Sequence, residues 1–153
     1  MNQDERGFSV RALGEIAIRC NKLKQMASFY EEIIGLEHLS GDHQDGIIFY
    51  KIAEGFGGHT SVLALFRSDV GRADLHPLSD EQPITGARSS LHHIALSLPY
   101  AEQEAVMHWY DRKNIEYHVQ IFSWIGWRGV FTKDPEGNTV ELVSFEKSLI
   151  SQE

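Results

Sequence analysis

The run Leu91-His92-His93-Ile94-Ala95-Leu96-Ser97-Leu98 sets two adjacent imidazoles in an otherwise mostly apolar, strand-like segment. Side chains alternate across a strand, so His92 and His93 take opposite faces. An imidazole in such a place is either a satisfied structural residue or a metal ligand. His92 reads as the structural or surface one of the pair. Further along, Glu141 lies between Val140 and Leu142 and takes the face opposite to both. If Val140 and Leu142 pack under helices, the Glu141 carboxylate is turned toward a cleft. The stretch Phe122-Ser123-Trp124-Ile125-Gly126-Trp127-Arg128 is aromatic and precedes another strand. Trp124 and Trp127 could wall an apolar or aromatic substrate; they could equally cover the core or a subunit contact. Arg128 could bind an anionic group or pair with an acidic residue such as Asp134.

Other candidate chemistry falls away. His38, His43, His76, His108 and His118 show no ligand spacing among themselves. Cys20 ends a strand and has no neighbour that would activate a thiolate, so it reads as a small core residue. Gly55-Phe56-Gly57-Gly58 lacks the lysine and helix of a phosphate-cradling loop and reads as a turn. No Ser-His-Asp arrangement is evident.

The elements that must position these residues follow from periodicity. Residues 12–20 read as a largely buried strand. Asn21 reads as the cap of a helix in which Leu23, Met26, Ala27, Tyr30 and Ile33-Ile34 recur at helical spacing, and Gly35 ends it. Residues 36–40, 47–52 and 60–66 read as three strands. Residues 68–89 are broken by Asp, Gly and Pro and read as a long connection. The pattern then returns: a strand over 91–98, a helix with Ala105, Val106, Trp109 and Tyr110 on one face and Asn114 capping its end, and strands over 116–122, 128–133 and 139–145. Asp134-Pro135-Glu136-Gly137-Asn138 is a tight turn.

Both halves therefore read β-α-β-β-β, and Glu15-Ile16-Ala17-Ile18 aligns with His93-Ile94-Ala95-Leu96 at an offset of 93 − 15 = 78 residues. Such an internal repeat decides the fold. The expectation is an α+β protein in which two βαβββ repeats, 11–67 and 90–147 joined by linker 68–89, form a curved mixed sheet around a central cleft. The 153 residues match one domain of roughly 150, so 1–153 is expected to be a single domain.

The paired repeats, the His92-His93-Ile94-Ala95-Leu96 strand and the segment from Arg128 to Leu142, with its Asp-Pro-Glu-Gly-Asn turn followed by Val-Glu-Leu, resemble the vicinal oxygen chelate superfamily. This is the glyoxalase, bleomycin-resistance and extradiol-dioxygenase group. The resemblance covers about residues 11 to 147. It implies a metal held by the first and last strands of each half, with His93 and Glu141 at the two ligand positions of the second half and Glu15 at the first-strand position of the first. One imidazole and two carboxylates suit a divalent ion such as Fe, Mn, Ni, Co or Zn. Glu15 departs from the commoner His or Gln and could be ligand or general base; Glu141 is the other catalytic candidate. The His93-to-Glu141 step of 48 residues, applied to Glu15, lands on Leu63, or on Ala64 with one residue of slippage. Neither can bind a metal, so the resemblance implies three ligands, with His59 as an outside possibility for a fourth. Phe49 and Phe66 could line the cavity.

What the resemblance implies is a metal-dependent enzyme acting on a small oxygen-bearing substrate. Lyase, isomerase, epimerase, epoxide-opening and dioxygenase chemistry are all within reach, the last disfavoured by glutamate at position 15. The alternative is a non-catalytic small-molecule-binding protein of the bleomycin-resistance type. The resemblance also implies a homodimer. Composition supports neither nucleic acid nor membrane as partner: 14 Lys+Arg against 22 Asp+Glu gives a net charge of −8, which polyanions repel. No segment approaches the ~18 consecutive apolar residues of a membrane span. The charged first residues do not resemble a signal peptide, and one cysteine fits a reducing compartment, so a cytoplasmic protein is expected.

Overall fold

The computed structural model describes residue 7, residues 10–69, residue 91 and residues 93–151. His76, His92 and all but the first two residues of the connection expected at 68–89 lie outside the described residues. The chain divides into two compact units, Met1–Gly71 and Arg72–Glu153.

In the first unit, β1 (Glu15–Cys20) is followed by α1 (Leu23–Ser28), which runs on into a π turn (Phe29–Ile33). Then come β2 (Glu37–Asp42), β3 (Ile47–Phe56) and β4 (His59–Arg67). The strands form one sheet in the order β1-β4-β3-β2, with β1 parallel to β4 and the other neighbours antiparallel. The parallel pair is what the crossover through α1 requires. The cap position of α1 falls on Lys22 rather than Asn21, and no side chain caps it. Gly35 does end the helical run. Its φ of 85° lets Leu36 donate back to the Tyr30 carbonyl at 2.9 Å, a conformation that costs a side-chain-bearing residue more. β3 runs on to Phe56, so the glycine-rich turn is tighter than expected: Phe56 pairs with His59 around Gly57-Gly58.

Alternation gives this sheet two distinct faces. Ile18, Cys20, Ile48, Tyr50, Leu63 and Leu65 are buried on the helix side, with Leu23, Met26, Ala27 and Tyr30 of the helical segment. Burial of such side chains stabilises by about 1.5–3 kcal/mol each. Tyr50 tightens the contact by donating to the Ala27 carbonyl at 3.3 Å and to Glu31 at 3.1 Å. The opposite face carries Glu15, Ala17, Val62, Ala64, Phe49 and Phe66.

The second unit repeats the plan. β5 (Ile94–Ser97) leads through a 3-10 turn (Tyr100–Glu102) into α2 (Gln103–Arg112), then β6 (His118–Phe122), β7 (Trp127–Lys133) and β8 (Thr139–Phe145). The sheet order is β5-β8-β7-β6, again with one parallel pair, β5 and β8. Asn114 ends the helix as expected. It takes φ 56°, and Ile115 donates to the Tyr110 carbonyl at 2.9 Å. The Asp134 turn is locked by its own carboxylate, which accepts from the backbone N–H of Glu136 and Asn138 and from the Asn138 amide at 2.8–3.0 Å. The fold is α+β, with two four-stranded mixed sheets of the same topology. Among the described residues no helix is long and apolar enough to cross a membrane.

Candidate metal and substrate site

Hydrogen-bonded register places the residues of each sheet in rows that share a face. In the second unit, Ala95 lies opposite Glu141, Glu141 opposite Phe131, and Phe131 opposite His118. A second row runs Phe122, Trp127, Phe145. The two rows sit on the same face, because Trp127 and Phe131 are an even number of residues apart on β7. His93 stands immediately before β5 rather than within it, and its ring reaches the first row. Its Nε2 lies 3.3 Å from Glu141 Oε2. The two side chains differ in access: 34% of His93 is exposed and 6% of Glu141.

Glu141 is thus a buried carboxylate on the open side of a sheet. Burial pushes its carboxyl above the usual range, and the His93 imidazole pulls in the other direction without cancelling it. Room for the carboxylate comes from Gly129, its diagonal neighbour on β7. A Cβ at Gly129 would stand 3.0 Å from Glu141 Cδ, nearer still to Oε1, and 2.7 Å from Phe131 Cε2. Glycine is required there by space, not by backbone angle. The Phe131 ring completes the surround, with His118 stacked on it at 4.9 Å and His93 tilted against it at 6.4 Å.

The reverse side of the same strands is held by a residue that sequence reading passed over. Gln103, the first residue of α2, is wholly buried. Its amide donates to the carbonyls of Arg128 (2.7 Å) and Leu142 (3.1 Å) and accepts from Arg128 Nε (2.6 Å) and Ser144 Oγ (2.7 Å). Arg128 and Leu142 adjoin Gly129 and Glu141, so this amide clamps the two strands at the point where the carboxylate sits. A glutamine one turn into a helix carries no signal of its own; only the polar side chains it meets, spread over 41 residues of sequence, reveal it.

The expected substrate residues separate. Trp127 is on the Glu141 face and 45% exposed. Trp124 is in the β6–β7 turn, 69% exposed, edge-on to Phe122 at 5.3 Å. Arg128 alternates to the helix side. There its guanidinium bonds Gln103, lies 4.2 Å from the Tyr100 ring centroid and is 3.6 Å from Glu104. It pairs neither with Asp134, which is engaged in its own turn, nor with anything on the Glu141 face.

In the first unit Glu15 is exposed and opens β1, opposite Val62. Ladder register resolves which residue stands where Glu141 does. Ile94 pairs with Val140 and Ile16 with Leu63, so the next pairs, Ala95–Glu141 and Ala17–Ala64, are equivalent. Ala64 is the counterpart, fully buried and without a donor. Phe49 lies opposite Ala64, as Phe131 lies opposite Glu141, and meets Phe66 edge-on at 6.4 Å. His59 packs instead against Gly14, around a cavity of about 230 Å³ shared with Arg11 and Phe56. Within neither unit do three His, Cys, Asp or Glu side chains among the described residues gather into a metal-binding set.

The His93–Glu141 pair nevertheless fits a divalent ion. Donors bound at about 2.0–2.2 Å to one ion stand roughly 3–3.5 Å from each other. The observed 3.3 Å falls in that span, and imidazole with carboxylate is a borderline-to-hard donor set.

Comparison with known proteins bears on the family and the fold. Residues 12–142 match the family model described as the Glyoxalase/Bleomycin resistance protein/Dioxygenase superfamily. The chain belongs to that superfamily. No curated protein sequence matches it significantly. Among solved structures it is similar to a glyoxalase/dioxygenase from Nostoc punctiforme (TM-score 0.64, 18% identity, 90% of this chain and 92% of that one). It is also similar to a lactoylglutathione lyase from Agrobacterium tumefaciens (0.61, 19%, 87% and 92%). A third is a genomically encoded fosfomycin resistance protein from Listeria monocytogenes (0.60, 15%, 92% and 98%). At these identities the likeness is one of fold.

Proposed function

We propose that this protein is a divalent-metal-dependent enzyme acting on a small oxygen-bearing substrate by lyase, isomerase or dioxygenase chemistry. The observation that carries the reading is the His93–Glu141 pair: a carboxylate buried at an energetic cost, in space left by a glycine, with an imidazole nitrogen at ligand spacing. A buried carboxylate answered by a single, part-exposed imidazole still destabilises a fold, so its retention on the helix-free face of the sheet favours a cation as a further partner. His93 and Glu141 would hold the ion, with Glu15, at the equivalent place of the first unit, as a further ligand or as the base. When bound, such an ion supplies Lewis-acid stabilisation of a substrate oxyanion or enolate. The chain's own residues do the rest. Trp127 and Phe145 bind the apolar part of the substrate and exclude water from it, and an exposed carboxylate such as Glu15 accepts a proton.

The aromatic row of half-buried Phe122 with exposed Trp127 and Phe145 favours one other reading, a sequestering protein that binds planar ligands without metal. Metal analysis of untagged protein separates the two. The enzyme reading expects a stoichiometric divalent ion in wild type after metal-replete expression and its loss in His93→Ala. Wild type with no ion supports the binder; His93→Ala with a full complement of ion refutes the site. We further propose a homodimer, for which light scattering after gel filtration should give twice the chain mass; a monomer overturns it.

A further inference from the structure

We propose that the second unit holds, beside His93 and Glu141, a subsite for the anionic end of the substrate, a carboxylate or phosphonate, recognised by Lys133 and His118. Its place relies on the proposed function, but its chemistry does not. A cavity of about 540 Å³ opens at the end of this sheet, lined by Glu116, Tyr117, His118, Phe131, Lys133 and Thr139 among others. That volume suits a small molecule. Two of its walls adjoin the metal-ligand candidates: Phe131 lies opposite Glu141, and Lys133 lies opposite Thr139 one row further on.

Thr132 and Tyr117 of this cavity bond within the chain, to the Glu116 carbonyl and to Asp111, whereas Lys133 and His118 keep donors for a ligand. Lys133 donates to the Thr139 hydroxyl at 3.2 Å and meets no carboxylate among the described residues. The His118 ring lies flat on Phe131, 9° from parallel, and its nitrogens have no hydrogen-bond partner among the described residues. In a chain of net charge −8, carboxylates are plentiful, and a lysine left without one beside a carboxylate-bearing site marks where an anion can be accepted. Neighbouring strands are about 4.7–4.9 Å apart, so from Glu141 on β8 to His118 on β6 is roughly 9–10 Å. The substrate class that spans it is a compact acid with its oxygen-bearing reacting group at one end and its anion at the other. Arg128, the sequence candidate for that anion, is turned to the far side of the sheet; Lys133, five residues on, takes the role. Glu116 is the carboxylate on the cavity wall and weakens an anion's hold.

Calorimetric titration of metal-free protein with benzoate, phenylphosphonate, benzamide and benzamidine tests this, with NMR of the His118 ring to locate the site. Both anions should bind and shift His118, and the tighter of the two assigns carboxylate or phosphonate. Lys133→Met should weaken that binding about tenfold or more, the worth of one charge-assisted hydrogen bond. Glu116→Gln should strengthen it, and Lys133→Arg should retain most of it. Benzamide or benzamidine binding as well as benzoate, or Lys133→Met binding like wild type, overturns the subsite. All three variants change exposed side chains, and circular dichroism verifies their fold. Because no metal is present, anion binding without metal uptake in the separate metal analysis sinks the enzyme reading alone, while metal uptake without anion binding sinks the subsite alone.

Discussion

Gly129→Ala separates the stability of the second unit from the placement of its carboxylate. The added Cβ would meet Glu141 Cδ at 3.0 Å and Phe131 Cε2 at 2.7 Å, where carbon atoms rest at about 3.5–4.0 Å. Something must retreat by roughly 0.5–1 Å, and the end of a glutamate side chain yields more readily than strand backbone. Overpacking of this kind costs about 1–3 kcal/mol. Replacing a strand glycine whose φ is already negative returns about 0.5–1 kcal/mol. The net change is therefore a loss of about 0–2.5 kcal/mol. The carboxylate pays in position instead. Starting 3.3 Å from His93 Nε2, it is carried beyond the separation at which two donors share one ion.

The expected outcome is a folded protein, its urea midpoint lowered by no more than about 1–2 M, that binds Mn²⁺ or Co²⁺ at least ~10–100-fold more weakly, the effect typical of disturbing the surroundings of a metal ligand. Adding Glu141→Asp to this variant shortens the side chain by one methylene and should recover part of the affinity. Wild-type metal affinity in a well-folded Gly129→Ala protein refutes the reasoning, since the carboxylate would then not be where the metal binds.

Three further perturbations probe the same unit. Glu141→Gln bears on pH dependence: a carboxyl whose folded pKa is raised binds more protons folded than unfolded, so its contribution to stability is present at low pH and is lost as pH rises from about 4.5 through the raised value. Chelator-treated Glu141→Gln should thus gain on wild type between pH 4 and pH 7 in urea melts; a gain that shrinks as pH rises shows that attraction to His93 outweighs burial. Gln103→Leu strips partners from Arg128, Ser144 and two carbonyls and should cost about 2–4 kcal/mol in the same melts, whereas a neutral result removes the clamp argument. Tyr110 has a buried hydroxyl without a hydrogen-bond partner among the described residues, and burial pushes its pKa up to about 12. Tyr110→Phe should therefore leave the melting temperature unchanged or raise it, and a clear drop would reveal a partner for the hydroxyl.

The repeat and the elements were legible in sequence because periodicity and turn chemistry are local. Gly35 and Asn114 end helices in the left-handed region of backbone space, which glycine and asparagine enter most readily, and the Asp134 turn closes on its own side chain. The orientation of Glu141 was legible for the same reason, since alternation between Val140 and Leu142 is a property of a few residues. Arg128 shows the limit. Its neighbour Trp127 reads as a site residue and is on the site face, so alternation had already assigned Arg128 to the other; aromatic composition of the stretch masked it. Gln103 and Gly129 were not legible at all. Each matters only through atoms that the chain brings from β7 and β8, and a residue whose role is to bond or to make room for distant neighbours leaves no pattern in its own surroundings.

Register carries the comparison of the two units further than sequence alignment does. On the first sheet one row runs Ala17, Ala64, Phe49, Ser40; on the second its equivalent runs Ala95, Glu141, Phe131, His118. The alanine and the phenylalanine are kept at both ends of the carboxylate's place, so the frame is the same and the chemistry differs at two positions. The Ala64/Glu141 position is buried in both units and the Ser40/His118 position is exposed, so only at the first does a donor cost burial energy unless something answers its charge or its hydrogen bonds. The first unit carries alanine and serine there and needs no answer, whereas the second carries a carboxylate and an imidazole on one row. That asymmetry is why the proposed site is centred on the second sheet, with Glu15 as the first sheet's acidic counterpart of His93 by register.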